Sequence, residues 1–304
     1  MIRMIQLKKQ IELFKELSKS GIVTLVLISV FAGYLIGQPH ETSLDGFRLT
    51  FTLIGILFLS SGSSALNQLQ EKDIDAQMPR TAGRPLPSNR MTVRSVQIFV
   101  GLHLLIGFAI LLYLSPTLLG LGVLAVVSYN GLYTLWWKRR WAYAAVPGAI
   151  PGALPILMGH FSAQGQIWNP GGLYLFFILF FWQMPHFWTL ALRYQKDYQQ
   201  GGFPTLPVIH GLNTTLVQIA IWCLCYMGLA NMAPFFLKVG WIYGVSTLLV
   251  EIKLAYELYG FLKNPESKNW LRFFLWINLS LILFLGAAAV DLWSIHLPIP
   301  YLNR

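Results

Sequence analysis

The chain has 304 residues, 55% of them hydrophobic and only 11% charged, with a mean hydropathy of +0.56 and a formal net charge of +10. Soluble domains carry roughly 25% charged residues, so a water-soluble globular domain is excluded. Apolar runs of about 18 or more residues recur where an outer-membrane barrel would show roughly ten-residue alternating segments, which identifies a polytopic helical membrane protein.

Nine spans are predicted, at about 21–37, 49–66, 95–114, 117–136, 142–160, 172–192, 214–233, 239–261 and 271–291. Residues 1–20 mix polar and apolar side chains and have no small-residue cleavage site after a short apolar core, so they are not a cleavable signal. Leu7, Ile11, Phe14 and Leu17 recur at helical spacing with Lys8, Lys15 and Lys19 elsewhere on the wheel, which predicts an amphipathic helix on the membrane surface. The rest, 21–304, reads as one transmembrane domain.

After span two comes the run NQLQEKDIDAQMPRTAGRPLP, residues 67–87. Asn67, Glu71 and Asp75 drift only about 40° per four-residue step on an α-helix and so share one face; Asp73 points elsewhere. A row of amide and carboxylate oxygens without soft ligands suits Mg²⁺, which keeps water and shares phosphate oxygens. Arg80 and Arg84 follow, also four apart, and guanidinium forks recognise phosphate. Topological charge alone accounts for the basic residues but not for the acids, which contribute little to orientation.

Further along, His103 lies mid-span three, and span four ends in YNGLYTLWWKRR, whose Lys138 and Arg139 could close a basic ring around phosphates. Span five repeats proline at Pro147, Pro151 and Pro155, each followed by a small residue, which predicts an irregular helix in close packing. Span six carries WQMPHFW. His186, at membrane depth, is a functional candidate, with His103 as its rival; His40, His160, His210 and His296 lie near span ends and are expected to be solvated. Trp136, Trp137, Phe181, Trp182 and Trp188 are expected to act chiefly as interface-belt or core residues. RYQKDYQQGGFPTLP then supplies Asp197, a second acid that could bridge a metal, between Lys196 and Tyr198, and Gly201, Gly202, Pro204 and Pro207 end the helix there. Cys223 and Cys225 face different sides of span seven as apolar filler and not as a disulfide. Glu251 and Glu257 are expected together near the inner end of span eight.

With the N-terminus inside, the inner segments hold eighteen Lys and Arg against three outside, which predicts N-in, C-out topology. The positive charge therefore reflects orientation, and no nucleic-acid partner is expected.

The runs NQLQEKDIDAQMPRTAGRPLP, YNGLYTLWWKR and FFWQMPHFWTLALRYQKDYQQGGFPTLPV together resemble the protoheme IX farnesyltransferase (heme O synthase) family, a branch of the intramembrane aromatic prenyltransferase superfamily. The resemblance implies an all-α bundle of nine transmembrane helices that transfers the farnesyl group of farnesyl diphosphate to a vinyl group of heme B, with Mg²⁺, at the cytoplasmic face. By position it implies Asn67, Glu71, Asp75 and Asp197 as metal and catalytic residues. Arg80, Arg84, Lys138, Arg139 and Lys196 would hold diphosphate, Tyr129, Asn130, Tyr133 and Tyr198 would line the site, and His186 would contact heme. Glu71 stands where the family has Asp, Arg193 occupies the place one turn before Asp197, and neither the Asn usual after the basic corner nor the Lys-Pro pair usual before span one is present. The expected setting is a bacterial plasma membrane, with a downstream heme A synthase as a possible partner. The rival readings are a sister prenyltransferase with a quinone-precursor or chlorophyll-type acceptor, a transporter, and a structural subunit; a transporter should show charged or broken helices in matching halves.

Overall fold

The computed structural model describes residues 2–39 and 43–294, and among them it is helical with no strand. In chain order the helices are α1 (Ile2–Leu17), α2 (Ser20–Gly37), α3 (Gly46–Gln70), the single turn α4 (Lys72–Asp75), α5 (Val93–Leu114) and α6 (Pro116–Val126). A π-helix over Val127–Trp137 and the short α7 (Lys138–Arg140) continue α6. Then come α8 (Ala145–Gln164), α9 (Pro170–Arg193), α10 (Gln195–Gln200), α11 (Leu206–Asn231), α12 (Trp241–Lys263) and α13 (Ser267–Ser294).

The helix starts are chemically marked. Asp45, Thr92, Ser115 and Asn169 each accept a backbone N–H of the first turn that follows, and proline stands in the first turn after Ser115 and Asn169, where it costs no hydrogen bond. The start of α12 is capped from a distance, with Asp291 Oδ2 of α13 accepting from the N–H groups of Gly240 and Tyr243 at 2.5 and 3.0 Å. Gly211, at φ +74, breaks α11 after its first turn.

Among the described residues, seven segments are apolar enough along their length to cross a membrane on composition. They comprise α2, α3–α4, α5, α6 through α7, α9, α11 and most of α13. The helices predicted at 142–160 and 239–261 are present as α8 and α12, but neither is as uniformly apolar. Helix α12 carries Glu251, Lys253 and Glu257 in its middle. Prolines and His160 dilute α8, which is sheathed by protein and buried almost without interruption from Ala149 to Ser162.

That central helix organises the bundle. One core joins α8 to α9, α11, α12 and α13 through residues such as Ala149, Ile178, Trp188, Cys223 and Phe273. A second joins it to α2, α3, α5 and α6 through Val30, Ile56, Leu111, Leu121 and Met158. A Cβ at Gly33 would overlap the carbonyl oxygen of Ile156, and one at Gly159 that of Val30, so α2 and α8 touch backbone to backbone, as small residues permit in membranes. Contrary to the sequence expectation, Pro151 and Pro155 lie inside a continuous helix; α2 and α9 pack round it and hold its course.

Helix α1 is docked at its C-terminal end and is not simply laid on a surface. Leu17 is buried with Ala65, Leu86 and Val96, Phe14 stacks on Phe99 with ring centroids 5.5 Å apart, and Gln68 Nε2 donates to the carbonyls of Glu16 and Leu17 at 2.8 and 2.9 Å. The side chain of Leu7, and residues His40 and His296, lie outside the described residues.

Candidate active site at the bundle mouth

Helix α3 bends at Glu71 (φ −106) without losing its i→i−4 hydrogen bonds: Glu71 N donates to Asn67 O at 3.0 Å and Asp75 N to Glu71 O at 2.8 Å. Asn67, Glu71 and Asp75 therefore keep one face, and they turn inward, at 2%, 2% and 0% exposure. Asp73 points out, paired with Lys72 at 3.6 Å.

Buried carboxylates need partners, and each has a cation. Lys138 Nζ donates to both oxygens of Glu71, at 2.7 and 2.9 Å, and lies over the Phe203 ring. Arg84 Nη1 reaches Asp75 Oδ2 at 2.6 Å. Asp75 Oδ1 is buried with no hydrogen-bond partner among the described residues. Lys19, which the sequence placed among the basic residues of the amphipathic N-terminal helix and not in the site, donates from Nζ to Asn67 Oδ1 at 2.6 Å. It stands at φ +52, between α1 and α2. Burial, and then the positive charges of Arg84 and Lys138, pull its ammonium down to about 7, while Glu71 and Asp75 oppose the shift.

The opposite wall comes from the π-helix. Its wider turn lets Thr134 Oγ1 bond the carbonyl of Tyr129 five residues back, at 2.8 Å, a geometry frequent at functional sites. Tyr129 and Tyr133 stack with centroids 6.0 Å apart and face the mouth. Asn130 does not line it. Its amide accepts from Ser63 Oγ at 2.5 Å and donates to Ser63 O at 2.9 Å, and Asn67 Nδ2 donates to Thr134 Oγ1 at 3.1 Å. Asn130 thus fastens the π-helix to α3.

The second loop closes the rim. Arg80 stands over the rings of Tyr194 and Tyr198, 4.8 and 5.8 Å to their centroids, and its Nε lies 3.8 Å from Asp197 Oδ2. Tyr198 is buried against Met78 and Phe203, and that burial raises its hydroxyl pKa. Arg80 and Tyr198 face the cavity; Asp197, held on the outer side of Arg80, does not. Lys196 is exposed and apart from it, and Arg139 is exposed and donates to Gln70 O at 3.2 Å. These three stand where charged side chains reach water at the lowest cost.

Together these elements enclose a cavity of about 430 Å³. Its charged end is formed by Lys19, Glu71, Asp75, Arg80, Arg84 and Lys138, and its interior is apolar, along Val23, Val26, Ile56, Leu59, Val126 and Met158. His186 reaches the same cavity from α9. Its ring stacks on Trp182 at 4.8 Å, lies 5.2 Å from the Phe274 ring, and leaves Nδ1 buried without a hydrogen-bond partner among the described residues. Beside it Gln183, whose role the sequence did not suggest, donates to Ala149 O at 3.0 Å. His103 lies off the cavity, stacked on Phe99 and bonded to its carbonyl at 2.9 Å. His160 is not solvated as expected but 2% exposed, wedged beside Gly37 and Gly172, because small residues there let α2 and α9 close over it. Glu251 and Glu257 are not together either; Glu251 accepts from Asn231 at the far end of α11, at 2.7 and 2.9 Å.

Among the described residues no three His, Cys, Asp or Glu side chains form a ready metal cluster. Two carboxylates and one amide oxygen on a single wall, with Asp75 Oδ1 unpartnered, nevertheless fit a hard ion that completes its shell with water and phosphate oxygens.

Residues 26–279 match the UbiA prenyltransferase family. The chain is 45% identical over 285 residues to a protoheme IX farnesyltransferase of Bdellovibrio bacteriovorus, covering 93% of this chain and 97% of that one. It is 33% identical over 289 residues to a protoheme IX farnesyltransferase of Bacillus cereus, covering 92% of each. Its fold is similar to that of a digeranylgeranylglyceryl phosphate synthase (TM-score 0.77, 16% identity, 94% of this chain and 99% of that one). It is also similar to that of a UbiA homolog from Archaeoglobus fulgidus bound to GPP and Mg²⁺ (TM-score 0.61, 15% identity, 92% and 99%).

Proposed function

The chain belongs to the UbiA prenyltransferase family, and from that membership we propose that it transfers the farnesyl group of farnesyl diphosphate to a vinyl group of heme B, giving heme O. The observation that carries this reading is a single cavity with a cationic and carboxylate rim at one end, an apolar interior, and His186 on its wall. The names of relatives that match nearly end to end support the acceptor. The prenyl diphosphate and Mg²⁺ held by a protein of the same fold support the donor and the ion.

Asn67, Glu71 and Asp75 would hold Mg²⁺, and bound there it would neutralise charge on the departing diphosphate. Arg80, Arg84 and Lys138, with Lys19 added from the structure, bind the diphosphate oxygens. Lys138 and Arg84 then have phosphate as well as carboxylate to answer, which strengthens their hold as charge builds on the leaving group. The C1–O bond breaks with its electron pair going to diphosphate. The apolar interior takes the fifteen-carbon chain, at about 0.8 kcal/mol per buried CH₂, and keeps water from the allylic cation, whose charge the faces of Tyr129 and Tyr133 can meet. The vinyl π pair of heme B forms the new C–C bond, and water adds to the resulting cation and loses a proton. His186 positions the porphyrin through its free Nδ1. Asp197 acts through Arg80, orienting it.

The excess of basic residues at the mouth end supports a cytoplasmic active site and N-in, C-out orientation in a bacterial plasma membrane. A heme A synthase is the natural consumer of the product, and residues 1–20 serve as an interfacial segment beside a single transmembrane domain. The test is incubation of membranes holding this chain with heme B, farnesyl diphosphate and Mg²⁺, followed by mass analysis of the porphyrin. The expected product carries one added farnesyl group and one added hydroxyl, and it disappears with a chelator. Unaltered heme B would sink the proposal.

A further inference from the structure

A second charged group lies on the flank of the bundle, outside the cavity. Glu257 of α12, its side chain 5% exposed, accepts through Oε1 from both Lys253 Nζ at 2.6 Å and Arg272 Nη2 of α13 at 3.0 Å. The two cations remain open, with side chains 38% and 48% exposed. Tyr256, 60% exposed, lies near both, 5.0 Å from Lys253 and 5.9 Å from Arg272, and Trp276 lies 5.4 Å from Lys253. One carboxylate thus answers two cations, and a positive charge is left on a surface whose neighbours are Leu249, Ile252 and Leu275, all more than half exposed.

The depth of this group matters. At 1.5 Å per residue, Glu257 lies about 9 Å and Lys253 about 15 Å from the end of α12, and Arg272 about 7.5 Å from the start of α13. Long basic side chains reach back toward the interface from such positions. The mouth is at the same end, since Arg193 at the end of α9 stands over Trp270, whose indole donates to Thr189 O at 2.8 Å. With Lys263 and Lys268 this rim holds five basic residues against Glu257 and Glu266. A charge at membrane depth without full neutralisation is costly.

We propose that Lys253 and Arg272 form a binding site for the phosphate of an anionic phospholipid, whose acyl chains run along Leu249, Ile252 and Leu275. A lipid fits better than free phosphate because the cations sit below the helix ends among apolar side chains, so the ligand must bring its own hydrocarbon. Basic pockets between transmembrane helices recognise anionic headgroups in this way.

Native mass spectrometry of the purified full chain, offered phosphatidylglycerol or phosphatidylcholine in turn, tests the site. One phosphatidylglycerol should be retained in preference, Lys253→Gln with Arg272→Gln should lower its retention roughly tenfold, and Arg272→Lys and Lys268→Gln should keep it. Thermal unfolding in phosphatidylcholine checks that the double variant is folded; should it not fold, Arg272→Gln alone is read for a smaller loss in the same direction. Equal retention of the two lipids, wild-type retention by the charge-removing variants, displacement of the lipid by millimolar inorganic phosphate, or a second copy of the chain in place of a lipid adduct would each overturn the proposal.

Discussion

Glu71 and Asp75 are carboxylates withdrawn from water, and their pairing with Lys138 and Arg84 has a consequence for stability. Removing one partner of a buried pair strands the other charge, at roughly 3–5 kcal/mol. Lys138→Met should therefore lower the unfolding temperature markedly, and adding Glu71→Gln should recover most of the loss; a single variant as stable as the parent would show that the pair is solvated. Asp75→Asn keeps the shape of the side chain but removes the charge beside the unpartnered Oδ1. The variant should insert normally and lose roughly 100-fold or more in turnover, measured as farnesylated product per inserted protein. His186→Ala should weaken heme B binding in an absorbance titration, and an unchanged titration would remove the ring from the acceptor site. The sequence could place these residues on a face, because four-residue spacing is local. It could not pair them, and it could not see that Lys19 crosses to Asn67, because that contact joins residues 48 apart.

At the scale of elements, the contact of α2 with α8 depends on the absence of side chains. Gly159→Ala would push a methyl group into the Val30 carbonyl. Overpacking of this kind costs about 1–3 kcal/mol, and the variant should melt earlier in detergent with Gly120→Ala, in open space, as the neutral control. The π-helix teaches the same lesson about legibility. VSYNGLYTLWW reads as an ordinary apolar span end, and nothing in its composition marks a wider turn. The turn is held by Asn130 on Ser63 and by Asn67 on Thr134, bonds made only once α3 is alongside. The prolines of α8 misled for a complementary reason. Local rules predict a broken helix, but neighbours on every side supply the packing that keeps it whole.

For the whole molecule, the proposed orientation puts the mouth in the cytoplasm and the turn between α11 and α12 outside. With Cys223 and Cys225 replaced, a cysteine at Lys238 should react with an impermeant maleimide on intact cells, and one at Asp73 only after lysis; the reverse pattern would invert the topology. The amino-acid sequence by itself determined the membrane as solvent, the positions of the long helices, the basic bias of one end and the one-sided Asn67–Glu71–Asp75 row, since each follows from composition or from a period of a few residues. Tertiary structure alone decided which of the polar residues share a cavity. It brought in Lys19 and Gln183, turned Asn130 into a fastening, left Asp197, Lys196 and Arg139 at the rim, and set His160 under α2 and α9. The reason is physical: inside a low-dielectric bundle each polar group must find its partner on whichever helix packs beside it, and that neighbour is chosen by the fold and not by distance along the chain.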